Sequence, residues 1–115
     1  MKKNNRAEKV QELIKRELGQ IILHELETPA GAVVTLTRVI ASGNLQEAKV
    51  YISVVPDVFS AQVMQQLKRD VYDIQQQLNE RLKMRPVPRI KWIEEKAGAE
   101  AQRIEELLEE LKNKK

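Results

Sequence analysis

The stretches Ala32-Val33-Val34-Thr35-Leu36-Thr37-Arg38-Val39-Ile40 and Ala48-Lys49-Val50-Tyr51-Ile52-Ser53-Val54 decide the fold. β-Branched side chains crowd the first run, and they fit a pleated surface better than a helix. The second run alternates, with Ala48, Val50, Ile52 and Val54 on one side and Lys49, Tyr51 and Ser53 on the other, which is the period of a half-buried strand. Ser42-Gly43-Asn44 lies between them and supplies turn chemistry. The two runs are therefore predicted to pair as an antiparallel hairpin with one apolar face.

Helical periods flank this hairpin. Upstream, from about Arg6 to Glu27, Val10, Leu13, Ile14, Leu18, Ile21, Ile22 and Leu26 recur at spacings of 3 and 4, an amphipathic helix with a wide apolar stripe. Thr28-Pro29-Ala30-Gly31 ends it, because the residue before a proline avoids the α region. Downstream, Pro56-Asp57 breaks the second strand, and Val63, Leu67, Val71, Ile74, Leu78 and Leu82 mark a second helix over about Ser60 to Leu82. Met84-Arg85-Pro86-Val87-Pro88 stops that helix, and Ile90 and Trp92, alternating with Arg89, Lys91 and Ile93, read as a short third strand. Gly98 to Lys115 carries Ile104, Leu107, Leu108 and Leu111 on one face of a last helix. The body is thus helix, strand, strand, helix, strand, an α+β single domain over residues 1–95, followed by a charged C-terminal helix and tail over 96–115. With the helices on one face of a three-stranded sheet, the opposite face should carry Thr35, Thr37, Lys49, Tyr51 and Ser53 with one or both of Arg89 and Lys91, as in an antiparallel layer.

Composition narrows the function. The 115 residues are 42% hydrophobic and 32% charged, enough for one modest core under a densely charged surface. The chain contains no cysteine, which excludes a disulfide framework, a thiolate zinc site and a cysteine nucleophile. No run approaches the roughly 18 apolar residues a bilayer span needs, and Met1-Lys2-Lys3-Asn4-Asn5 has no apolar core behind it, so an unexported cytoplasmic protein with no membrane partner is expected. The net charge of +3 is unevenly spread: residues 1–93 hold 15 Lys and Arg against 10 Asp and Glu, and residues 94–115 hold 5 against 7. The basic character belongs to the body.

The residues of enzyme chemistry are missing from the pattern. His24 is the sole histidine, so neither a metal site nor a nucleophile and base pair assembles around it, and its plain reading is a surface or half-buried side chain. Gly19, Gly31, Gly43 and Gly98 are too far apart for a phosphate-cradling loop. The pairs Glu105-Glu106 and Glu109-Glu110 are explained by the solvated face of the last helix. No cofactor, no metal and no catalytic residue are expected. What remains is a basic run of Arg81, Lys83, Arg85, Arg89 and Lys91. Clustered Arg and Lys pair with phosphates and release counterions, although the same residues also serve as solvated charges on a small soluble protein. Tyr51 could stack on a base, but aromatic residues are only 3% of the chain, and the paired aromatic platform of an RNA-recognition-motif sheet is absent.

Several stretches, in this order, resemble the ribosome-binding factor A family of small bacterial proteins acting on the small ribosomal subunit. They are Arg6-Ala7-Glu8-Lys9-Val10 leading into Ile14-Lys15-Arg16-Glu17-Leu18, then Val34-Thr35-Leu36-Thr37-Arg38-Val39, Leu45, and Ala48-Lys49-Val50-Tyr51-Ile52-Ser53-Val54. Leu78 to Leu82, Arg85 with Pro88, and Arg103-Ile104-Glu105-Glu106-Leu107-Leu108 complete the series, which spans nearly the whole chain. The resemblance implies a type II KH-like fold and a noncatalytic, monomeric assembly factor. Such a factor binds free 30S subunits and 16S rRNA, promotes late maturation and rRNA processing, serves growth in the cold, and has a release GTPase as a further partner. The candidate RNA contacts are then Arg81, Lys83, Arg85, Arg89 and Lys91 from the basic run, Lys49 from the open sheet face, and Lys15, Arg16 and Arg38 within the resembling stretches. A generic KH-like RNA-binding module and a protein-interaction module without RNA binding are the alternatives, the latter distinguished by weak salt dependence. The chain departs from the family pattern twice. Thr28-Pro29-Ala30-Gly31-Ala32 stands where the family tends to have Asp-Pro-Arg and a glycine. Asp70-Val71-Tyr72 stands where the family has an A-x-G interruption that kinks the second long helix. With neither Gly nor Pro there, that helix is expected to run straight.

Overall fold

The computed structural model describes residues 2–96, and the helix predicted over Gly98–Lys115 lies outside the described residues. The elements are α1 (Lys2–Glu25), β1 (Val33–Ala41), β2 (Glu47–Val55), a 3₁₀ turn (Asp57–Phe59), α2 (Ser60–Arg69), α3 (Val71–Arg81) and β3 (Arg89–Glu94). The strands form one sheet in the order β1-β2-β3. β1 and β2 pair antiparallel, as their alternation predicts, whereas β3 lies parallel to β2. The layer is therefore mixed rather than wholly antiparallel, because a chain returning over the helices on one face re-enters the sheet in its starting direction. The order α-β-β-α-α-β with helices on one face is a type II KH-like arrangement.

Between sheet and helices lies one core. Ile14, Leu18 and Ile21 of α1, Val50 and Ile52 of β2, Val63 and Leu67 of α2, and Ile74 and Leu78 of α3 are each at most 2% exposed. Burying each such side chain contributes about 1.5–3 kcal/mol of transfer free energy. The apolar stripes read from sequence are the faces that meet.

The second helix is not straight. Asp70 takes φ −98° and ψ 11°, outside helical geometry, and separates α2 from α3. Its N–H still donates to the Gln66 carbonyl and its own carbonyl accepts from the Ile74 N–H, each at 3.0 Å. The chain therefore bends without abandoning its hydrogen bonds. Packing supplies the cause: α2 lies against β2 and β3, whereas α3 lies mainly against α1 and meets only β3 of the sheet, and one straight rod cannot serve both. Arg69 grips the Asp70 carboxylate through Nε at 3.0 Å and Nη2 at 3.1 Å. That hydrogen bond and the adjacent positive charge hold the carboxyl below its ordinary pKa.

β1 also departs from strict alternation. Leu36 faces Ile52 and Arg38 faces Tyr51, so Thr37 is an extra residue, a β-bulge. Thr37 therefore does not take the open-face position expected for it. Arg38 occupies that place, and Val39, which follows, turns into the core at 5% exposure. In the β1–β2 turn the Ser42 hydroxyl donates to Asn44 Oδ1 and accepts from the Gln46 and Glu47 N–H groups. The left-handed residue there is Leu45, at φ 60°, rather than Gly43. Each outer strand has one outward N–H taken by a helix glutamine: Ala41 by Gln11 at 3.0 Å and Ile90 by Gln75 at 2.9 Å.

Candidate nucleic-acid interface

Sheet register fixes the exposed face. Tyr51 is flanked by Arg38 and Ile93, Lys49 by Ile40 and Lys91, and Glu47 by Arg89. Lys49, Arg89 and Lys91 are exposed and make no ion pair among the described residues. Arg38 lies over the Tyr51 ring, 4.2 Å from its centroid, a cation–π contact. Its Nη2 sits 3.3 Å from the Glu95 carboxylate. Glu95 is fixed in turn, accepting from the Thr37 hydroxyl at 2.6 Å and donating its N–H to the Ile52 carbonyl at 2.7 Å.

The end of the sheet adds a second set of cations. Pro86 and Pro88 break the chain after α3, and Gln75 ties the new segment back by donating to the Pro88 carbonyl. The Arg89 N–H donates to the Gln46 carbonyl, which anchors the segment beside the β1–β2 turn. Arg85 sits between two clefts. One, of about 380 Å³, runs between Arg6 and Ala7 of α1, the turn residues Gly43 to Gln46, and Met84 to Pro86. The other, of about 260 Å³, is bordered by Gln75, Asn79, Val87 and Arg89. No carboxylate is among the described residues lining either cleft. Arg85 donates from Nη1 to the Leu82 and Met84 carbonyls, which orients the guanidinium while its Nε and Nη2 donors have no protein partner among the described residues. Arg89 borders a cleft and belongs to the open face, so it joins the two sets.

The residues singled out from sequence thus divide. Arg85, Arg89, Lys91 and Lys49 come together around the sheet end and open face, with Lys83 exposed on the segment leading into Arg85. Arg81 does not join them: its guanidinium reaches Glu17 at 3.2 Å and Gln20 at 3.3 Å and ties α3 to α1. The basic run is split because Arg81 is still helical and Arg89 is already in the sheet. Lys15 lines a cleft of about 410 Å³ between α1 and β1 together with Lys9, Arg38, Glu8 and Glu12, so carboxylates offset its charge. Arg16 is exposed on α1 and lies 3.5 Å from Glu17. His24 is exposed near the end of α1. Sequence reasoning missed Arg6 and Glu95. Arg6 opens the first resembling stretch, which was its available signal, whereas nothing local marks Glu95 as a partner of β1.

Known proteins resemble this chain in sequence and in fold. The family model described as ribosome-binding factor A matches residues 6–108. The ribosome-binding factor A of Gloeothece citriformis is 30% identical, over 98% of this chain and 88% of that protein. The crystal structure of ribosome-binding factor A from Thermus thermophilus superposes with a TM-score of 0.67 at 23% identity, covering 76% of this chain and 93% of that one. A homology model of the Thermus thermophilus factor, fitted into a cryo-EM map of a 30S complex, gives a TM-score of 0.60 at 26% identity, covering 70% and 86%.

Proposed function

Because the chain belongs to the ribosome-binding factor A family, we propose that it is a noncatalytic assembly factor that binds free 30S subunits through 16S rRNA. It acts in the cytoplasm during late small-subunit maturation, promotes rRNA processing and serves growth in the cold. The fitted 30S complex of its Thermus thermophilus neighbour supports the choice of partner. The observation that carries the RNA contact is the pair of adjoining clefts at Arg85, bordered by Arg6 and Arg89 with no carboxylate among their described lining residues. Such a site offers charge-assisted donors to phosphates, and Glu47, in register beside Arg89, lines neither cleft. Lys49 and Lys91 extend it across the sheet.

Cosedimentation with purified 30S and 70S particles over a salt series tests the reading. Recovery with 30S should exceed recovery with 70S. If Arg6, Arg85, Arg89, Lys49 and Lys91 each neutralise one phosphate, log affinity should fall with log salt at a slope of about −4, at roughly −0.7 to −0.9 per contact. Equal recovery with both particles would sink the assembly-factor reading, and salt-insensitive binding would replace the RNA contact with a protein contact.

A further inference from the structure

We propose that the open sheet face holds one unpaired RNA base, laid on the Arg38 guanidinium, with its flanking phosphates on Lys49 and Lys91. This inference rests on the RNA-binding reading above and specifies single-stranded RNA as the ligand of this face. The bulge at Thr37 places Arg38 on the open side of the sheet, opposite Tyr51. The ring backs the guanidinium at 4.2 Å, and the Glu95 carboxylate forms an ion pair with it at 3.3 Å. Tyr51 lies on one side of the guanidinium, and no ring lies on the other among the described residues. The Arg38 side chain retains 44% of its exposure. The result is a planar cation, backed by a ring, paired with a carboxylate and partly open to solvent among the described residues, a surface on which bases stack.

The neighbouring row supplies the anion sites. Lys49 and Lys91 lie side by side on β2 and β3, and like charges so placed repel unless an anion sits between them. Their row is two residues along the strand from Arg38 and Tyr51, about 7 Å, the reach between a base and its own phosphates. Glu95 offsets the charge of Arg38, which favours stacking over simple attraction to a backbone. A duplex keeps its bases stacked inside and meets only the lysines. An acidic peptide would likewise meet the lysines and has no plane to lay on Arg38.

The full chain is titrated into a single-stranded RNA octamer carrying a central 2-aminopurine, and separately into a hairpin duplex. Wild-type protein should brighten the 2-aminopurine on binding, because the base leaves its quenching neighbours for a guanidinium. Arg38→Lys keeps the charge and loses the plane. It should abolish the brightening and weaken octamer binding by about 5- to 150-fold, the loss of one stacked base, while duplex binding changes by no more than about twofold. Tyr51→Leu should act as Arg38→Lys does, and Tyr51→Phe should keep the brightening. An octamer whose emission does not rise with wild-type protein, or equal effects of Arg38→Lys on octamer and duplex, overturns the proposal. The two readings fail separately: wild-type protein that cosediments with 30S without brightening the octamer removes only the stacked base, whereas brightening without 30S preference removes only the assembly-factor reading.

Discussion

Arg81 and Arg85 stand one helical turn apart in sequence and face different tasks. Arg81 bridges α3 to Glu17 and Gln20 of α1, so Arg81→Ala should lower stability by about 0.2–1 kcal/mol, the range for partly exposed ion pairs. Its 30S binding should match that of the wild type in cosedimentation. Arg85 contacts only carbonyls of its own segment among the described residues and, with Arg6, borders a cleft without carboxylates. The double variant Arg6→Ala/Arg85→Ala should unfold at nearly the wild-type temperature and flatten the salt slope of 30S binding by about 1.5. A flattened slope in Arg81→Ala, or an unchanged one in the double variant, would reverse these assignments. Sequence placed both arginines in one patch because a list of charges carries no direction. Direction came from where α3 ends.

At the scale of elements, the hairpin, the flanking helices and the third strand were legible because each has a periodic apolar face. Two features were not. The break at Asp70 arises from two different packing partners, a tertiary cause that local propensity does not encode. A hint existed in the residue type, since aspartate favours helix starts over helix interiors. Asp70→Ala removes the exposed Arg69 contact and adds helix propensity, small effects of opposite sign. Its melting temperature should therefore stay close to the wild type, and backbone chemical shifts should still report a non-helical residue 70, because α2 and α3 keep their separate partners. A continuous helix in that variant would return the cause to local sequence. Since Arg69 depresses the Asp70 pKa, whatever stability this pair adds is present above the ordinary aspartate pKa and is lost as pH falls through the depressed value. The junction should be indifferent to pH near neutrality. The bulge at Thr37 escaped the periodicity although it left a mark: strict alternation would put Arg38 beside Leu36 on the core side and Val39 on the open face, so polar and apolar phases exchange at Arg38-Val39.

For the whole molecule, the two layers separate labour: the helices close the core, and the sheet's far side and one end carry most of the cations we propose for RNA. Among the described residues the buried hydrophobic core runs from Ile14 to Ile90, and the division at residues 95 and 96 is our proposal with a direct test. A chain ending at Lys96 should fold cooperatively and keep its 30S binding, read by thermal melting and cosedimentation; an unfolded product would merge the two segments. The glutamine contacts on the outer strands have a further consequence for a crowded cell. A sheet with open edges invites a second copy to extend it, and the usual defence is to leave no continuous row of free donors. Gln11 and Gln75 each occupy an outward donor on their strand, and the Thr37 bulge breaks the spacing on β1. Gln11→Ala/Gln75→Ala should therefore remain folded yet form concentration-dependent oligomers in sedimentation velocity where the wild type does not, so that these two side chains act as guards against polymerisation.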